Sequence, residues 1–353
     1  MDIKAILYDA VKRNASDLFL VPGMQIAEKV NGKIAPMNRE DRSLQPGDTA
    51  AFIDSMYRLA NRDKEKLEEG GDDDFSFTIP DLSRFRVNVY RQRGSLACVV
   101  RVVRFDLPEP SVIGVPDAVL QLGNLKKGLV LITGPAGSGK STTLACILDE
   151  INKNYSRHIV TLEDPIEFLH RHKKSIVSQR EIAMDAKDYV TALRASLRQA
   201  PDVILLGEMR DYETIEVAMT AAETGHLVLS TLHTTGAANT IDRIIDVFPA
   251  NQQRQIAVQL SMVLQASVSQ QLVPALDGSL VPAFEVMTVT SAIRNMIREN
   301  KVPQIDGTLY SSNQPSMVSM DCALYNLWQA HRISKEMALQ YATSPEALAK
   351  RLV

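Results

Sequence analysis

Residues 128–143 read GLVLITGPAGSGKSTT, and the fold turns on how they are read. Leu129 to Ile132 form an unbroken apolar run, which suits a strand covered on both faces. The run stops at Thr133, and Gly134, Gly139, Lys140 and Ser141 then fall at the spacing of a phosphate-binding loop that opens a helix. In the segment Gly134, Pro135, Ala136, Gly137, Ser138, Gly139 the glycines let the backbone close around phosphate oxygens. The helix N-terminus adds its positive end. Lys140 reaches the β- and γ-phosphates, the Ser141 hydroxyl serves as a Mg²⁺ ligand, and Thr142 completes the cradle. A glycine-rich turn arising by chance would lack the strand before it and the helix after it. The segment therefore predicts a site for ATP and Mg²⁺ in an α/β fold.

Three more buried-looking strands follow, HIVTL, VILLG and LVLSTL, separated by helical patterns. That alternation marks a parallel sheet with helices on both faces. Carboxylates emerge where such a sheet places its ligands, at strand ends. Glu208 follows VILLG, and Glu163, Asp164 and Glu167 follow HIVTL, where Pro165 stops the strand from continuing. Glu208 can orient or deprotonate an attacking water, or hold the water shell of the metal. The sequence leaves open which glutamate is the general base. His226 and His233 bracket the strand LVLSTL, and Ser230, Thr231, Thr234 and Thr235 surround His233 with donors, as a γ-phosphate sensor requires. The run HRHKK at 170–174 reads as a solvated loop without metal-ligand spacing.

Working outward, residues 1–105 form a small α/β domain. It has a helix through Ile3, Ile6, Leu7, Ala10 and Val11, a hairpin signalled by Asn31-Gly32, one helix from Asp48 to Glu69, and alternating strands at 74–104. The acidic triplet Asp72 to Asp74 reads as a solvated turn. Proline-rich residues 106–117 are a linker, 118–275 the parallel-sheet core, and 276–353 a mostly helical region with one strand-like run, AFEVM. In that region AIRNMIREN, 292–300, sets Ala292, Ile293, Met296 and Ile297 on one helical stripe beside Arg294 and Arg298.

Composition narrows the function classes. A net charge of −3 with no basic stripe argues against nucleic acid as a partner. Three cysteines, all far apart, argue against a structural zinc site and for a reducing, cytoplasmic setting. No apolar run approaches the ~20 residues of a transmembrane helix, and the N-terminus is not a signal peptide.

GPAGSGKST, TLEDPIEF, GEMRD and TAAETGHLVLSTLHTT stand in the order and spacing of the secretion ATPase superfamily. Within it the chain resembles the type IV pilus retraction ATPases, the PilT group, from NASDLFL near the start into the C-terminal helices. Residues 292–299 resemble that group's retraction motif, with Met296 where leucine is usual. The resemblance implies a PAS-like N-terminal domain hinged to a RecA-like P-loop ATPase domain with a helical C-terminal region. It implies a homohexamer that cleaves ATP to power pilus retraction and twitching motility. Its implied station is cytoplasmic, at the inner face of the membrane, against an inner-membrane pilus platform protein and beside an extension ATPase or a paralogous retraction ATPase.

By the same resemblance Lys140 and Ser141 serve phosphate and Mg²⁺, Glu163 and Glu167 belong to the acidic box, and Glu208 is the second strand-end carboxylate, on the metal through water. His226 and His233 form the histidine box. Arg86 and Arg101 match the N-terminal arginines that reach the nucleotide. Arg84 and Arg93 stay open as alternatives, because the loop is one residue shorter than the family pattern. Two departures stand out. Phe19 follows Ser16-Asp17-Leu18 where the family often has histidine, and Ala200 precedes Pro201 where an acidic residue is common. Rival readings are an accessory retraction ATPase, an extension or secretion ATPase, and a nucleotide-gated scaffold without productive turnover.

Overall fold

The structure is a computed structural model. It describes residues 2–30, 32–38, 42–103, 105, 107–312, 314 and 316–352. The chain divides into two compact units, residues 1–106 with 167–169, and residues 107–166 with 170–353.

The first unit is built on a six-stranded antiparallel sheet. Its strands are β1 (Asp17–Leu20), β2 (Ala27–Val30), β3 (Lys33–Pro36), β4 (Asp72–Ile79), β5 (Ser83–Gln92) and β6 (Ser95–Val103), in the order β3-β2-β1-β6-β5-β4. On β5, Phe85, Val87 and Val89 are buried while Arg84, Arg86 and Asn88 point the other way, the period-two pattern of a sheet with one covered face. The helix Ile3–Lys12 buries Ile3, Ile6, Leu7 and Ala10, as the apolar spacing requires. Val30 and Lys33 pair across the expected β2–β3 turn, whose Asn31 lies outside the described residues.

Two expectations fail in this unit. The helix from Asp48 to Glu69 is two helices, Pro46–Leu59 and Glu65–Gly70. Asn61 between them adopts a left-handed φ of 50°, a conformation asparagine tolerates better than most residues and one that ends a helix. The acidic triplet is not a solvated turn, because all three residues lie in β4 and Asp73 is 1% exposed. Arg62 donates to its carboxylate from Nε and Nη2 at 3.0 and 2.9 Å, and the Tyr57 hydroxyl donates at 2.9 Å. The buried acid is invisible to composition because its partners come from the helix Pro46–Leu59 and the segment that follows it.

In the second unit the strands are β7 (Gly128–Thr133), β8 (His158–Glu163), β9 (Ile176–Glu181), β10 (Val203–Leu206), β11 (Leu227–Leu232), β12 (Leu264–Pro274), β13 (Leu280–Thr288) and β14 (Met317–Val318). Their order is β14-β13-β12-β7-β11-β10-β8-β9. From β12 to β9 all neighbours are parallel, and β13 and β14 close the other edge antiparallel. Strand β7 shows why the apolar run is continuous: Leu129 and Leu131 enter one core, Val130 and Ile132 the other. Helix Lys140–Asn154 covers the second core through Leu144, Ile147, Leu148 and Ile151. Helices Tyr212–Glu223, Ala237–Asp246 and Ala250–Val263 cover the first.

Strands β9 and β12 escape a sequence reading because they are polar: β9 is IVSQRE at an edge, and β12 carries Ser267, Ser269 and Gln270, all buried. Within 106–117, Pro110–Ile113 form one helical turn and Val115 joins the second core. Helices at 320–329, 335–341 and 345–349 pack a separate cluster around Leu324, Ala338 and Leu348 against Val273 and Val281. The 170–174 run is not simply solvated either. The Asn152 side chain holds it through Arg171 O and Lys173 N, and burial lowers the His170 imidazole pKa to about 4. Among the described residues no helix is long and apolar enough to cross a membrane.

Replacing Asp73 with alanine strands Arg62 and the Tyr57 hydroxyl and should cost roughly 3 kcal/mol. Urea unfolding followed by circular dichroism would measure it. A loss below about 0.5 kcal/mol, the range of an ordinary surface substitution, would contradict the assignment.

Candidate functional site

The site is built at the C-terminal edge of the parallel strands. Thr133 ends β7, Glu163 ends β8, Glu208 follows β10 by two residues, and His233 follows β11. The registers Leu232↔Thr133, Leu206↔Ser230 and Leu206↔Leu162 align these ends. Four side chains far apart in sequence thus leave the sheet on one side.

Gly134 has a φ of 138°, and a Cβ there would meet Gln270 O at 2.2 Å. Only glycine fits, because the loop runs against the backbone of β12. Pro135, Ala136 and Gly137 are exposed, Ser138 is buried, and Gly139 caps the helix that Lys140 opens. Lys140 is 8% exposed, and its Nζ donates to Gly134 O at 2.8 Å and Pro135 O at 2.9 Å. Ser141 and Thr142 follow on the first helical turn, half-buried. Among the described residues Thr133 Oγ1 and Ser138 Oγ are buried with no hydrogen-bond partner. Buried hydroxyls are ordinarily satisfied, so one orphan at the strand end and one in the loop fit a cradle for a ligand rich in acceptor oxygens.

The acidic residues differ in surroundings. Glu163 Oε1 accepts from Thr161 Oγ1 at 2.6 Å and from Gln179 Nε2 at 3.1 Å, so it is held on its own sheet edge. Glu208 faces two nitrogen donors: Arg210 Nη2 lies 2.5 Å from Oε1 and His233 Nε2 lies 3.2 Å from Oε2. Burial pushes the Glu208 carboxyl up, but the hydrogen bonds from Arg210 and His233 outweigh it and hold the group below the usual carboxylate range. Glu208 is therefore ionised at neutral pH and fixed by His233.

The other expected residues lie elsewhere. His226 stands at the opposite end of β11 from His233, its Nδ1 2.9 Å from Ala221 O, so within this chain it does not join the carboxylates. Glu167 is exposed and falls in the 167–169 segment grouped with the first unit. Arg86 and Arg101 also belong to the first unit, where they are cross-strand neighbours on β5 and β6. Arg101 Nε donates to Asp17 Oδ1 at 3.0 Å. Arg84, on the same strand, donates to Thr78 Oγ1, and Arg93 sits in the β5–β6 turn with φ 48°.

Three residues at the site escaped the sequence reading. Gln270 Oε1 accepts from Thr143 Oγ1 at 2.7 Å, tying β12 to the loop helix. Arg210 holds Glu208, and the motif GEMRD could have signalled it. Tyr189 places its hydroxyl 2.8 Å from where a Cβ on Gly207 would stand. Burial, aided by the charges of Asp164, Glu208 and Glu163, pushes the Tyr189 phenol well above its ordinary range, so it remains a donor.

The helix Ser291–Arg298 is capped by the Thr290 side chain, which accepts from Ile293 N, and it buries Ile293 and Ile297 completely. Met296 is half-buried and Ala292 exposed, so the stripe is narrower than its spacing suggests. The two arginines are not equivalent. Arg294 Nη1 donates to Ser261 O and Met262 O at 2.7 and 3.0 Å, capping the end of helix Ala250–Val263. Arg298 is exposed and meets only Asn295 within its own helix, at 2.6 Å, among the described contacts.

The model of the type II/IV secretion system protein family matches residues 1–310. The type IV pilus retraction ATPase PilT of Pseudomonas aeruginosa is 42% identical over 98% of this chain and 99% of its own length. The type IV pilus ATPase PilU of the same organism is 36% identical over 99% of this chain and 90% of its own. Among solved structures, the pilus retraction motor PilT with bound ADP superposes with a TM-score of 0.89 at 44% identity, covering 99% of both chains. The Legionella pneumophila ATPase DotB gives 0.81 at 28%, covering 95% of this chain and 93% of that one.

Because Arg210 and His233 hold the Glu208 carboxyl down, the substitution Arg210→Ala should let burial prevail and move its titration to higher pH. A ¹³C NMR titration of that carboxyl would show the shift, and an unchanged midpoint would contradict the assignment.

Proposed function

The chain belongs to the type II/IV secretion system protein family, and we propose that it is an ATP-hydrolysing motor that drives type IV pilus retraction and twitching motility. The observation that carries this reading is the convergence of the phosphate loop, Glu163 and the Glu208–His233 pair at one sheet edge. It stands in a chain similar along its whole length to a retraction ATPase.

In the mechanism the loop 134–139 and the first turn of its helix hold the phosphates, with Lys140 on the β- and γ-oxygens. Glu208 accepts a proton from the water that attacks the γ-phosphorus in line. The new P–O bond forms as the bond to the ADP oxygen breaks, and His233 fixes the carboxylate by the 3.2 Å contact. Glu163, held by Thr161 and Gln179, is the alternative base. Among the described residues no group of three or more His, Cys, Asp or Glu could hold a metal. Ser141 would hold Mg²⁺ through its hydroxyl, and Glu208 would hold one of the metal's waters. Bound there it would offset charge on the transferred phosphoryl group.

The working assembly in this reading is a homohexamer, cytoplasmic and peripheral at the inner face of the membrane. It acts on an inner-membrane platform protein, and residues 106–117 hinge the two domains. Arg86 and Arg101 supply positive charge to the nucleotide across the ring. An arginine so used contributes ~10³ to 10⁵ in rate.

Deleting the gene in its host should leave abundant, static pili and abolish twitching, and the chain carrying both Arg86→Ala and Arg101→Ala should fail to restore it. Loss of filaments on deletion would point to assembly instead. Full rescue by the double variant would remove the two arginines from the mechanism.

A further inference from the structure

Glu285 is a carboxylate on β13 that is 5% exposed and makes no ion pair among the described residues. Instead each oxygen accepts from a helix N-terminus. Oε1 takes the Ala237 N–H at 2.8 Å and Oε2 the Met320 N–H at 3.2 Å. Ala237 opens the helix Ala237–Asp246, which begins four residues after His233. Met320 opens the helix Met320–Gln329 of the C-terminal cluster. One side chain therefore joins the segment that leaves the nucleotide edge to the helices beyond β13.

Neighbouring contacts bind the same loop. Ser269 on β12 lies directly across from Glu285, and its Oγ accepts the Gly236 N–H at 3.0 Å. Thr234 and Thr240 hydroxyls meet at 2.7 Å, closing the turn between His233 and the helix. From His233 to Ala237 the chain is thus fixed at one end by Glu208 and at the other by Ser269 and Glu285. Burial, aided by the charges of Asp306 and Asp321, holds the Glu285 carboxyl above the usual carboxylate range against the pull of the two backbone N–H groups. A buried carboxylate is costly unless its oxygens are hydrogen-bonded, and those of Glu285 are held by backbone N–H groups of two different helices, so it fixes one against the other.

We propose that Glu285 is a positioning residue: it sets the His233 loop against the C-terminal helices, so that recognition of the γ-phosphate at His233 and the placement of those helices change together. This rests on the proposed reading of His233 as a γ-phosphate sensor, and it assigns Glu285 no contact with substrate. The two sites become one linked equilibrium, and coupling of that kind commonly amounts to ~5–150-fold in affinity.

The test uses the purified full chain and the substitution Glu285→Gln, which keeps shape but turns one acceptor into a donor facing a backbone N–H. Titrations would compare ADP with a non-hydrolysable ATP analogue. The expected result is ADP affinity within about twofold of wild type and analogue affinity weakened about tenfold, inside that range. His233→Ala should show the same selective loss, and adding Glu285→Gln to it should cost nothing further, since both act through one loop. Ser269→Ala, which removes only the Gly236 contact, should shift the same ratio in the same direction, and it serves if the glutamine variant fails to fold. Equal loss for both nucleotides, no loss, or a loss that adds in full to that of His233→Ala would overturn the proposal. A wild-type chain that binds both nucleotides but releases no phosphate would instead defeat the motor reading, and the affinity ratio would still decide the role of Glu285.

Discussion

In the phosphate loop Gly134 lies so close to the carbonyl of Gln270 that not even a methyl group fits. The loop can lie flat against β12 only because residue 134 has no side chain and a φ open to glycine alone. From that contact follow the exposure of Pro135 to Gly137, the seat of Lys140 over the loop carbonyls, and the tie from Gln270 to Thr143. The parallel order β12-β7-β11-β10-β8 then brings Glu208, His233 and Glu163 to the same edge. Glu208, His233 and Glu163 each follow or end a strand that its own local sequence specifies, whereas Gln270 sits on the polar β12.

Electrostatics sort the carboxylates within that frame. Glu208 faces a guanidinium and an imidazole and is held ionised. Glu163 is held by neutral donors, a threonine hydroxyl and an amide. Two acids at neighbouring strand ends thus differ in what they can do: one is oriented by charged partners near the histidine, and the other is anchored to its sheet. The same economy appears at the far end of the unit. Arg294 is spent on capping a helix, which leaves Arg298 as the outward-facing arginine of the 291–298 helix.

Much of this was legible in the amino-acid sequence. Strands β7, β8, β10 and β11 are apolar because both faces are covered, and the glycine spacing after β7 carries its own chemistry. Glu163, Glu208 and His233 could be placed because they follow such strands directly. What stayed hidden depends on partners distant in the chain. Asp73 looks like surface charge until Arg62 and Tyr57 are brought to it, and β12 looks like loop until its serines and glutamine are buried beside β7. Likewise Arg294 and Arg298 look alike at helical spacing until one of them meets the end of helix Ala250–Val263. The resemblance groups His226 with His233, yet the two stand at opposite ends of β11.

The central claim is that the loop at 134–141 binds ATP for cleavage and not merely for assembly. Steady-state phosphate release by the purified chain in Mg-ATP, set beside the Lys140→Ala variant, tests it most directly. The account predicts sustained release by the wild type and none above background from the variant. Equal release from both, or none from either, would contradict it.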